Sequence, residues 1–307
     1  MPRKLRVEEE GGLYHVINRG NYRQPVFSSV GAAQAFETAL QQVVAKFGWR
    51  LHAYVLMTNH YHLALETPKP NLVDGMHWLQ STFATRFNRF RSERGHLFQG
   101  RYQALPIENA AALARVVDYI HLNPVRAGIV PVEQLGGFRW SSLRRFLKGD
   151  RWSGLVGDLV MPVWSLKDDV KGWTTYESRL RELAADAEEQ QRQGFDQMCS
   201  GWAIGTAGWR AALAKQLSHK ELVGISRQEA RGVREDQWQA ALVTRLAGLG
   251  RKPADLATLK PREAVAEWRL DLAVELRHIG APYAWIAAQA GFPNPLSLKV
   301  LLHRRRR

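Results

Sequence analysis

The stretch LHAYVLMTNHYHLALE, residues 51–66, indicates two short strands joined by a tight connection. Leu51–Met57 and His60–Glu66 are rich in aliphatic and aromatic residues, and only Thr58 and Asn59 lie between them. On a strand, residues two positions apart point to the same face of the sheet. The stretch therefore predicts a hairpin that carries His60 and His62 side by side on one face.

The chain around this hairpin alternates between strand-like and helix-like patterns. Besides the hairpin, the predicted elements are a strand at Leu13–Asn18, helices at Gly31–Phe47, Leu72–Phe90 and about Ala110–Leu122, and an irregular extended segment at Leu97–Glu108. Pro124 and Gly128 are predicted to end the third helix. The mixture predicts an α+β fold, in which a small sheet carries helices on one face.

Composition predicts a division of the chain into three parts. Residues 1–148 form the α+β domain, residues 149–170 are rich in Gly, Trp, Pro and Asp and predict a linker, and residues 171–307 predict a helical accessory region that binds DNA. Near its end, Pro282–Ala290 and Pro295–His303 predict two short helices with the spacing of a helix-turn-helix. Four arginines, Arg304–Arg307, follow them.

The net charge favours a polyanionic partner. The chain carries a formal charge of +14, and residues 1–150 hold 19 Lys and Arg against 11 Asp and Glu, so both halves are basic. Nucleic acid is the first expectation and an anionic membrane the second. The single cysteine, Cys199, excludes an intrachain disulfide, and no apolar stretch predicts a signal peptide or a membrane span. A soluble cytoplasmic protein without membrane contact is expected.

Two local patterns could together form a metal site with a nucleophile. Neutral imidazoles placed like His60 and His62 can share one divalent cation. Tyr119 and Asn123 lie four positions apart near a helix end and share one face, so Asn123 could offer a third ligand beside Tyr119. Taken singly, the histidines could be ordinary polar residues of a half-buried strand, and the Tyr119–Asn123 pair could serve packing.

If the two patterns meet, they predict phosphoryl-transfer chemistry at a tyrosine. A phenol is a poor nucleophile at neutral pH, with an ordinary pKa near about 10. A cation that binds the oxygens of a phosphate makes the phosphorus electrophilic. Attack by Tyr119 would then give a covalent phosphotyrosine and a free 3′-OH, and rejoining would need no ATP. The chain contains no phosphate-binding G-x-x-x-x-G-K-[ST] loop.

Arginines alternate with aromatic residues along the second predicted helix and the segment after it. Arg86 and Arg89 are interleaved with Phe83, Phe87 and Phe90. Proteins that bind single strands usually place arginine side chains on the phosphates and stack aromatic rings on the bases. The phenylalanines fit the core face of a helix better, which leaves the arginines as the candidate DNA contacts.

Four segments give the first 150 residues a resemblance to the Y1-type HUH transposases, and within them to the REP-associated tyrosine transposases related to the IS200/IS605 enzymes. The segments are YHVINRG at residues 14–20, NHYH at residues 59–62, GHLFQGRY at residues 95–102 and YIHLNPVRAG at residues 119–128. They occur in the family's order over about half of the chain. Residues 151–307 lie outside the resemblance.

The resemblance implies a ferredoxin-like sheet with His60 and His62 on a central strand and Tyr119 on a helix packed across it. It implies Mg²⁺ or Mn²⁺ on His60, His62 and Asn123, and cleavage of single-stranded DNA to leave a 5′-phosphotyrosine. It also implies palindromic repeats that fold into hairpins as substrates, and a nucleoid-associated protein that is a monomer or a homodimer. The matching segments contain three further candidate DNA contacts, namely Arg19, Arg101 and Arg126.

Three alternatives remain open from the sequence. The first is a replication initiator or relaxase of the wider HUH class, and the second is a non-catalytic DNA-binding protein derived from a transposase. The third is a basic RNA-binding protein. Metal-dependent cleavage of single-stranded DNA would separate the enzymes from the two binding proteins.

Overall fold

The structure, a computed structural model, describes residues 7–217, 227–257 and 266–305. The chain divides into two compact units, the first ending at Gly205 and the second beginning at Thr206. The units do not separate at the linker predicted for residues 149–170, because Leu155, Val160 and Met161 of that stretch are buried in the core of the first unit. The first unit is accordingly longer than the predicted 1–148.

The first unit is built on one four-stranded antiparallel sheet. Its strands are β1 (Gly12–Arg19), β2 (Arg50–Leu56), β3 (His60–Thr67) and β4 (Gln103–Ile107). They lie in the order β2-β3-β1-β4, so β3 and β1 are the central strands and β4 is an edge. The hairpin and the first strand thus agree with the sequence-based predictions within about two residues.

Six α-helices of the first unit pack around the sheet. They are α1 (Val30–Phe47), α2 (Leu72–Arg91), α3 (Ala110–Arg126), α4 (Ser142–Lys148), α5 (Val170–Ala185) and α6 (Ala187–Arg192). Ser29 caps the start of α1, and Gly48, with φ of +68°, ends it. The chain order β1-α1-β2-β3-α2-β4 confirms the predicted ferredoxin-like α+β domain.

Helices cover both faces of the sheet, so the prediction of helices on one face was wrong. Phe36 of α1 packs on Tyr61, with ring centroids 4.7 Å apart, whereas Tyr119 of α3 lies 5.7 Å from His62. Tyr61 and His62 are neighbours on β3 and point to opposite faces. Strand β2 is buried at six of its seven positions, which requires cover on both sides.

Two local predictions differ from the structure because of proline. Leu97–Glu108, predicted as an irregular extended segment, contains β4, and Pro106 fits there because an edge strand tolerates the missing N–H. Helix α3 continues through Pro124 to Arg126 instead of ending before it. Since the helix ends two residues later, Pro124 removes a hydrogen bond only in the last turn, and its buried ring packs in the core.

The side of α3 that faces α5 carries a buried polar network. Tyr176 donates to Oδ1 of Asp118 at 2.8 Å, Arg179 lies 2.8 Å from Oδ2, and the Nδ1 atom of His121 lies 3.1 Å from the Tyr176 hydroxyl. Burial raises the pKa of Asp118 to about 6, although Arg179 and Tyr176 oppose the change. The carboxyl group of Asp118 therefore holds its proton more tightly in the folded protein than in the unfolded chain.

A pH-dependent contribution to stability follows from Asp118. A folded-state pKa raised above the unfolded value stabilises the protein fully below about pH 4, and the contribution is lost as the pH rises through about 6. Between pH 4 and 7 the free energy of unfolding of the wild type should fall by about 3 kcal/mol relative to Asp118→Asn. Urea unfolding of both proteins across this range measures the difference. A rise instead of a fall would mean that the Arg179 ion pair outweighs burial.

The second unit consists of helices wherever the structure describes it, which agrees with the predicted helical C-terminal region. They are α7 (Ala207–Gln216), α8 (Arg227–Gly248), α9 (Pro253–Ala257), α10 (Glu267–His278), α11 (Tyr283–Gln289) and α12 (Pro295–Arg305). Residues of α8 to α12 share a separate hydrophobic core. Across the described ranges, no helix combines the length and the apolar character needed to cross a bilayer.

Candidate active site

The two histidines of β3 share the face of the sheet that α3 covers. Their ring centroids are 5.0 Å apart, His62 is buried, and His60 is half-buried at the start of the strand. Tyr61 between them points to the opposite face, where its hydroxyl accepts a hydrogen bond from Gln80 at 2.9 Å. The predicted side-by-side arrangement of His60 and His62 is therefore present in the structure.

A third histidine, which the sequence reasoning missed as a site residue, lies behind His62. His15 on β1 is fully buried, and its Nε2 atom lies 3.0 Å from Nδ1 of His62. The Nδ1 atom of His15 lies 2.9 Å from the backbone oxygen of Met198. A carbonyl oxygen can only accept, so His15 Nδ1 carries a proton and donates it there. Neutral His15 then accepts at Nε2, and His62 donates from Nδ1.

This chain of hydrogen bonds leaves lone pairs on the histidines of β3. Because His62 uses Nδ1 as a donor, its Nε2 atom carries a lone pair. The Nδ1 atom of His60 lies 2.7 Å from the side-chain oxygen of Asn59, so its Nε2 atom also carries a lone pair. A metal-binding imidazole usually has its second nitrogen fixed in this way.

Burial keeps the three imidazoles neutral. It lowers the pKa of His15 to about 4 and, together with the neighbouring His15 and His60, brings the pKa of His62 well below its ordinary value. Burial and the nearby charge of Arg19 lower the pKa of His60 as well. Neutral imidazole is the form that coordinates a cation.

Helix α3 brings Tyr119 and Asn123 over the histidines. The side-chain nitrogen of Asn123 lies 3.4 Å from Nε2 of His62, and the Tyr119 ring lies 5.7 Å from His62 and 6.0 Å from His15. The predicted third ligand was the amide oxygen of Asn123, whereas the nitrogen faces His62 here. A half-turn of the amide exchanges the two atoms. The helix thus places both predicted side chains at the histidine pair.

The donor set fits one divalent cation. Two neutral imidazoles with lone pairs at Nε2 and one amide that can present its oxygen are nitrogen and oxygen ligands suited to transition-metal ions such as Mn²⁺. The part of the chain that the structure describes contains no cluster of three or more His, Cys, Asp and Glu side chains suited to a metal ion. An amide ligand is therefore needed to complete a three-ligand set at this position.

A segment that follows α6 covers Tyr119, and sequence reasoning did not anticipate it. We refer to Phe195–Cys199 as the cover segment. The Tyr119 hydroxyl lies 2.9 Å from the sulfur of Cys199, and the Phe195 ring packs edge-on against Tyr119 at 5.6 Å. Burial and the Cys199 contact raise the pKa of Tyr119, and the Arg126 guanidinium, 5.0 Å from the Tyr119 ring, opposes the rise.

The five predicted DNA contacts are all exposed but do not form one surface with the site. Arg126 stacks on Tyr119, and Arg19 is the register partner of His60, so both flank the histidines. Arg101 lies just before β4, two residues after Gln99, whose side chain accepts from Arg19. Arg86 and Arg89 lie on α2, in the helix layer on the opposite face of the sheet.

Comparisons with known proteins find similarity over part of the first unit. Residues 10–123 match the family model described as "Transposase IS200 like". No curated protein matches the chain. A REP-associated tyrosine transposase solved with a REP hairpin is 21% identical over 52% of this chain and 93% of its own, with a TM-score of 0.42.

Two further solved structures are more distant. A protein of Deinococcus radiodurans R1 described as a candidate transposase is 18% identical over 50% of this chain and 98% of its own, with a TM-score of 0.28. A tRNA(His) guanylyltransferase of Saccharomyces cerevisiae is 12% identical over 45% and 76%, with a TM-score of 0.26. The family match spans β1 to α3, which carry both histidines, Tyr119 and Asn123. The match covers 114 of the 307 residues, so the similarity to IS200-like transposases is limited to this stretch of the chain.

Proposed function

We propose that the first unit is a metal-dependent endonuclease and strand transferase that acts on single-stranded DNA, with Tyr119 as its nucleophile. The observation that carries this proposal is the meeting of His60, His62, Asn123 and Tyr119 on one face of the sheet. The two histidines come from β3, and Tyr119 and Asn123 come from α3. The hydrogen bonds described above leave two imidazole lone pairs beside the phenol.

His60, His62 and Asn123 are the residues that would hold Mg²⁺ or Mn²⁺. When bound, the cation would neutralise the oxygens of the scissile phosphate and make its phosphorus more electrophilic. The imidazoles favour Mn²⁺ over Mg²⁺, because Mg²⁺ prefers oxygen ligands. The guanidinium groups of Arg126, over the Tyr119 ring, and of Arg19, the register partner of His60, would bind the phosphates next to the scissile one.

Tyr119 performs the covalent step. Its oxygen attacks phosphorus, the bond between phosphorus and the 3′ oxygen breaks, and the DNA keeps a 5′-phosphate bonded to the tyrosine. The phenol proton leaves to solvent, and the departing 3′ oxygen takes one up as it becomes a hydroxyl. Attack by a 3′-OH on the same phosphorus reverses the step and rejoins a strand, so no nucleotide cofactor is consumed.

The substrate class in this proposal is small palindromic repeats that fold into hairpins, as the four matching sequence segments imply. Phe195 and Cys199 contact the nucleophile directly, so the DNA strand must displace them before its phosphate can reach Tyr119. The exposed Arg126, which lies over both the Tyr119 and the Phe195 rings, provides the positive charge that draws the strand there.

The test is the formation of a covalent protein–DNA adduct. The full chain is incubated with a labelled single-stranded hairpin from the DNA that flanks its gene, with Mn²⁺, with Mg²⁺ or with EDTA. The proposal predicts a labelled band at the mass of the protein plus the 3′ part of the DNA, present with metal and absent with EDTA. Tight binding of the hairpin without any adduct in either metal would contradict it.

His15 is expected to act as a positioning residue for the metal. His15→Ala removes the acceptor that fixes His62, and loss of such a partner costs about 10- to 100-fold in metal affinity. Thermal shift of the protein as a function of Mn²⁺ concentration measures this affinity. His121→Ala is the matched control, because His121 is also fully buried and hydrogen-bonded but lies on the side of α3 that faces Tyr176 and Ser142. Equal losses in both variants would mean that His15 has only a structural role.

The cover segment supports a second candidate, a transposase-derived protein that binds DNA without cutting it. The Tyr119 hydroxyl is engaged by Cys199, and its raised pKa disfavours the phenolate. Cys199→Ala removes the contact to the hydroxyl and should increase the rate of adduct formation several-fold if the tyrosine is a nucleophile. Hairpin binding without adduct, in both wild type and Cys199→Ala, would favour the second candidate.

A further inference from the structure

The end of the chain is strongly basic. From Ile279 to Arg307 the sequence contains five Lys and Arg and no Asp or Glu. Lys299 and Arg304 are exposed on α12, and Arg305 pairs with Asp271 of α10 at 2.7 Å. A helix whose own charged side chains are all positive favours a negatively charged partner.

Helices α10, α11 and α12 form a packed three-helix arrangement. Leu272 of α10, Ile286 of α11 and Leu298 of α12 are buried in one core. The last helix is therefore held on the other two by its apolar face, and its remaining faces are open to solvent.

The turn between α11 and α12 is fixed by specific contacts. Gly291 has a φ of +71°, and a Cβ atom there would lie 2.8 Å from the backbone oxygen of Leu256. The buried Arg269 donates from Nη2 to the backbone oxygens of Ala290 and Gly291, at 2.6 and 2.5 Å. At the other end of the turn, Asn294 accepts from the N–H of Ser297 at 2.8 Å and caps α12. The direction of α12 is thus set by the fold.

The outer face of α12 carries apolar and basic residues in one line. Leu296 is 71% exposed and Val300 is 44% exposed, and Lys299 and His303 are exposed beside them. Positions three, four and seven apart fall on one side of a helix, so these four side chains form a stripe about 10 Å long. Solvent-facing leucine and valine next to lysine and histidine suit a surface that contacts a partner.

We propose that α12 is a recognition helix that enters the major groove of double-stranded DNA, which gives the protein a second DNA site separate from the strand-cleaving one. Leu296 and Val300 would contact thymine methyl groups, and Lys299 would donate to guanine O6 or N7. Arg304 lies near the exit of the helix, where it reaches backbone phosphate. This site needs neither metal nor Tyr119.

Duplex DNA fits the stripe better than the other partners that could cover it. Sequence-tolerant binding of single strands relies mainly on exposed Phe, Tyr and Trp rings, and the stripe contains none of these residues. Pairing with a second copy of α12 would bring Lys299 and Arg304 of both copies together, and like charges at an interface oppose association. A helix that follows a short fixed turn and presents its N-terminal residues outward is the usual arrangement for reading the major groove.

The experiment selects duplexes from a pool of 25-bp DNA with a randomised centre, using the full chain in EDTA so that no strand is cut. The wild type should enrich a short sequence motif. Lys299→Ala should bind the enriched duplex roughly 10-fold more weakly, with a smaller loss on a scrambled duplex. Lys215→Ala, which removes the same charge from the exposed surface of α7, should change affinity less than about 2-fold.

Each other outcome would overturn the proposal. If no sequence is enriched, or if Lys299→Ala and Lys215→Ala lose the same affinity, the binding is only nonspecific electrostatic attraction. Sedimentation that shows a wild-type dimer dissociated by Leu296→Asp would assign the stripe to self-association. Adduct formation on a single-stranded hairpin is measured separately and should be unchanged in Lys299→Ala, so failure of the cleavage proposal would not decide this one.

Discussion

Tyr119→Phe is expected to abolish the covalent protein–DNA adduct, with a loss of more than about 1,000-fold in rate. The substitution removes one oxygen, which is the atom that would bond to phosphorus. The ring remains, and with it the edge-on contacts to His62 and Phe195 and the stacking of Arg126. The hydroxyl loses its contacts with Cys199 and Asn123, so the free energy of unfolding should change by about 1 kcal/mol.

The measurement compares the wild type with Tyr119→Phe for adduct yield, hairpin affinity and thermal unfolding. The adduct should disappear while affinity and stability are retained. Tyr22→Phe is the matched control, because it removes the same atom from a tyrosine that is 93% exposed and outside the site. An adduct that persists in Tyr119→Phe, or disappears in Tyr22→Phe, would assign the nucleophile to another residue.

Those features of the site that depend on short spacing could be predicted from the sequence. The shared face of His60 and His62 follows from the two-residue period of a strand, and the shared face of Tyr119 and Asn123 from the four-residue spacing of a helix. Both patterns are local, so they do not require knowledge of which elements meet. The family resemblance added that the two patterns lie at one site.

The missed features of the site are tertiary. His15 reaches His62 through the pairing of β1 with β3, and their positions are 47 residues apart. Cys199 reaches Tyr119 across 80 residues, from a segment without regular secondary structure. No periodicity marks such contacts, because they depend on the packing of the whole unit. His15 had one available signal, since it lies in a motif that matches the family.

The differences in fold have a similar origin. Pro106 and Pro124 act as breakers in isolated peptides, but β4 is an edge strand and α3 ends soon after its proline. The stretch at residues 149–170 has a loop-like composition, yet its Leu155 and Met161 fill the core of the first unit. The composition of such a segment predicts an irregular backbone but does not reveal where its few apolar side chains pack.

Substitution of His62 should have the second-largest effect, because it removes a metal ligand and breaks the buried hydrogen-bond chain. In His62→Ala the rate of adduct formation with Mn²⁺ should fall by more than about 100-fold. The protein should also lose roughly 2–4 kcal/mol of stability, since a cavity forms and Nε2 of the fully buried His15 loses its donor. A loss of activity in this variant alone could therefore follow from partial unfolding.

His60→Ala separates the two causes. His60 is half-buried and bonds only to Asn59 within the site, so its removal should cost less than about 1 kcal/mol of stability. If both histidines hold the cation, both variants should lose the adduct and also the rise in melting temperature that Mn²⁺ gives the wild type. The stability measured in EDTA should fall only in His62→Ala. A Mn²⁺-dependent rise that survives in both variants would place the metal elsewhere, and the role of the β3 histidines would then be to support the fold around Tyr119.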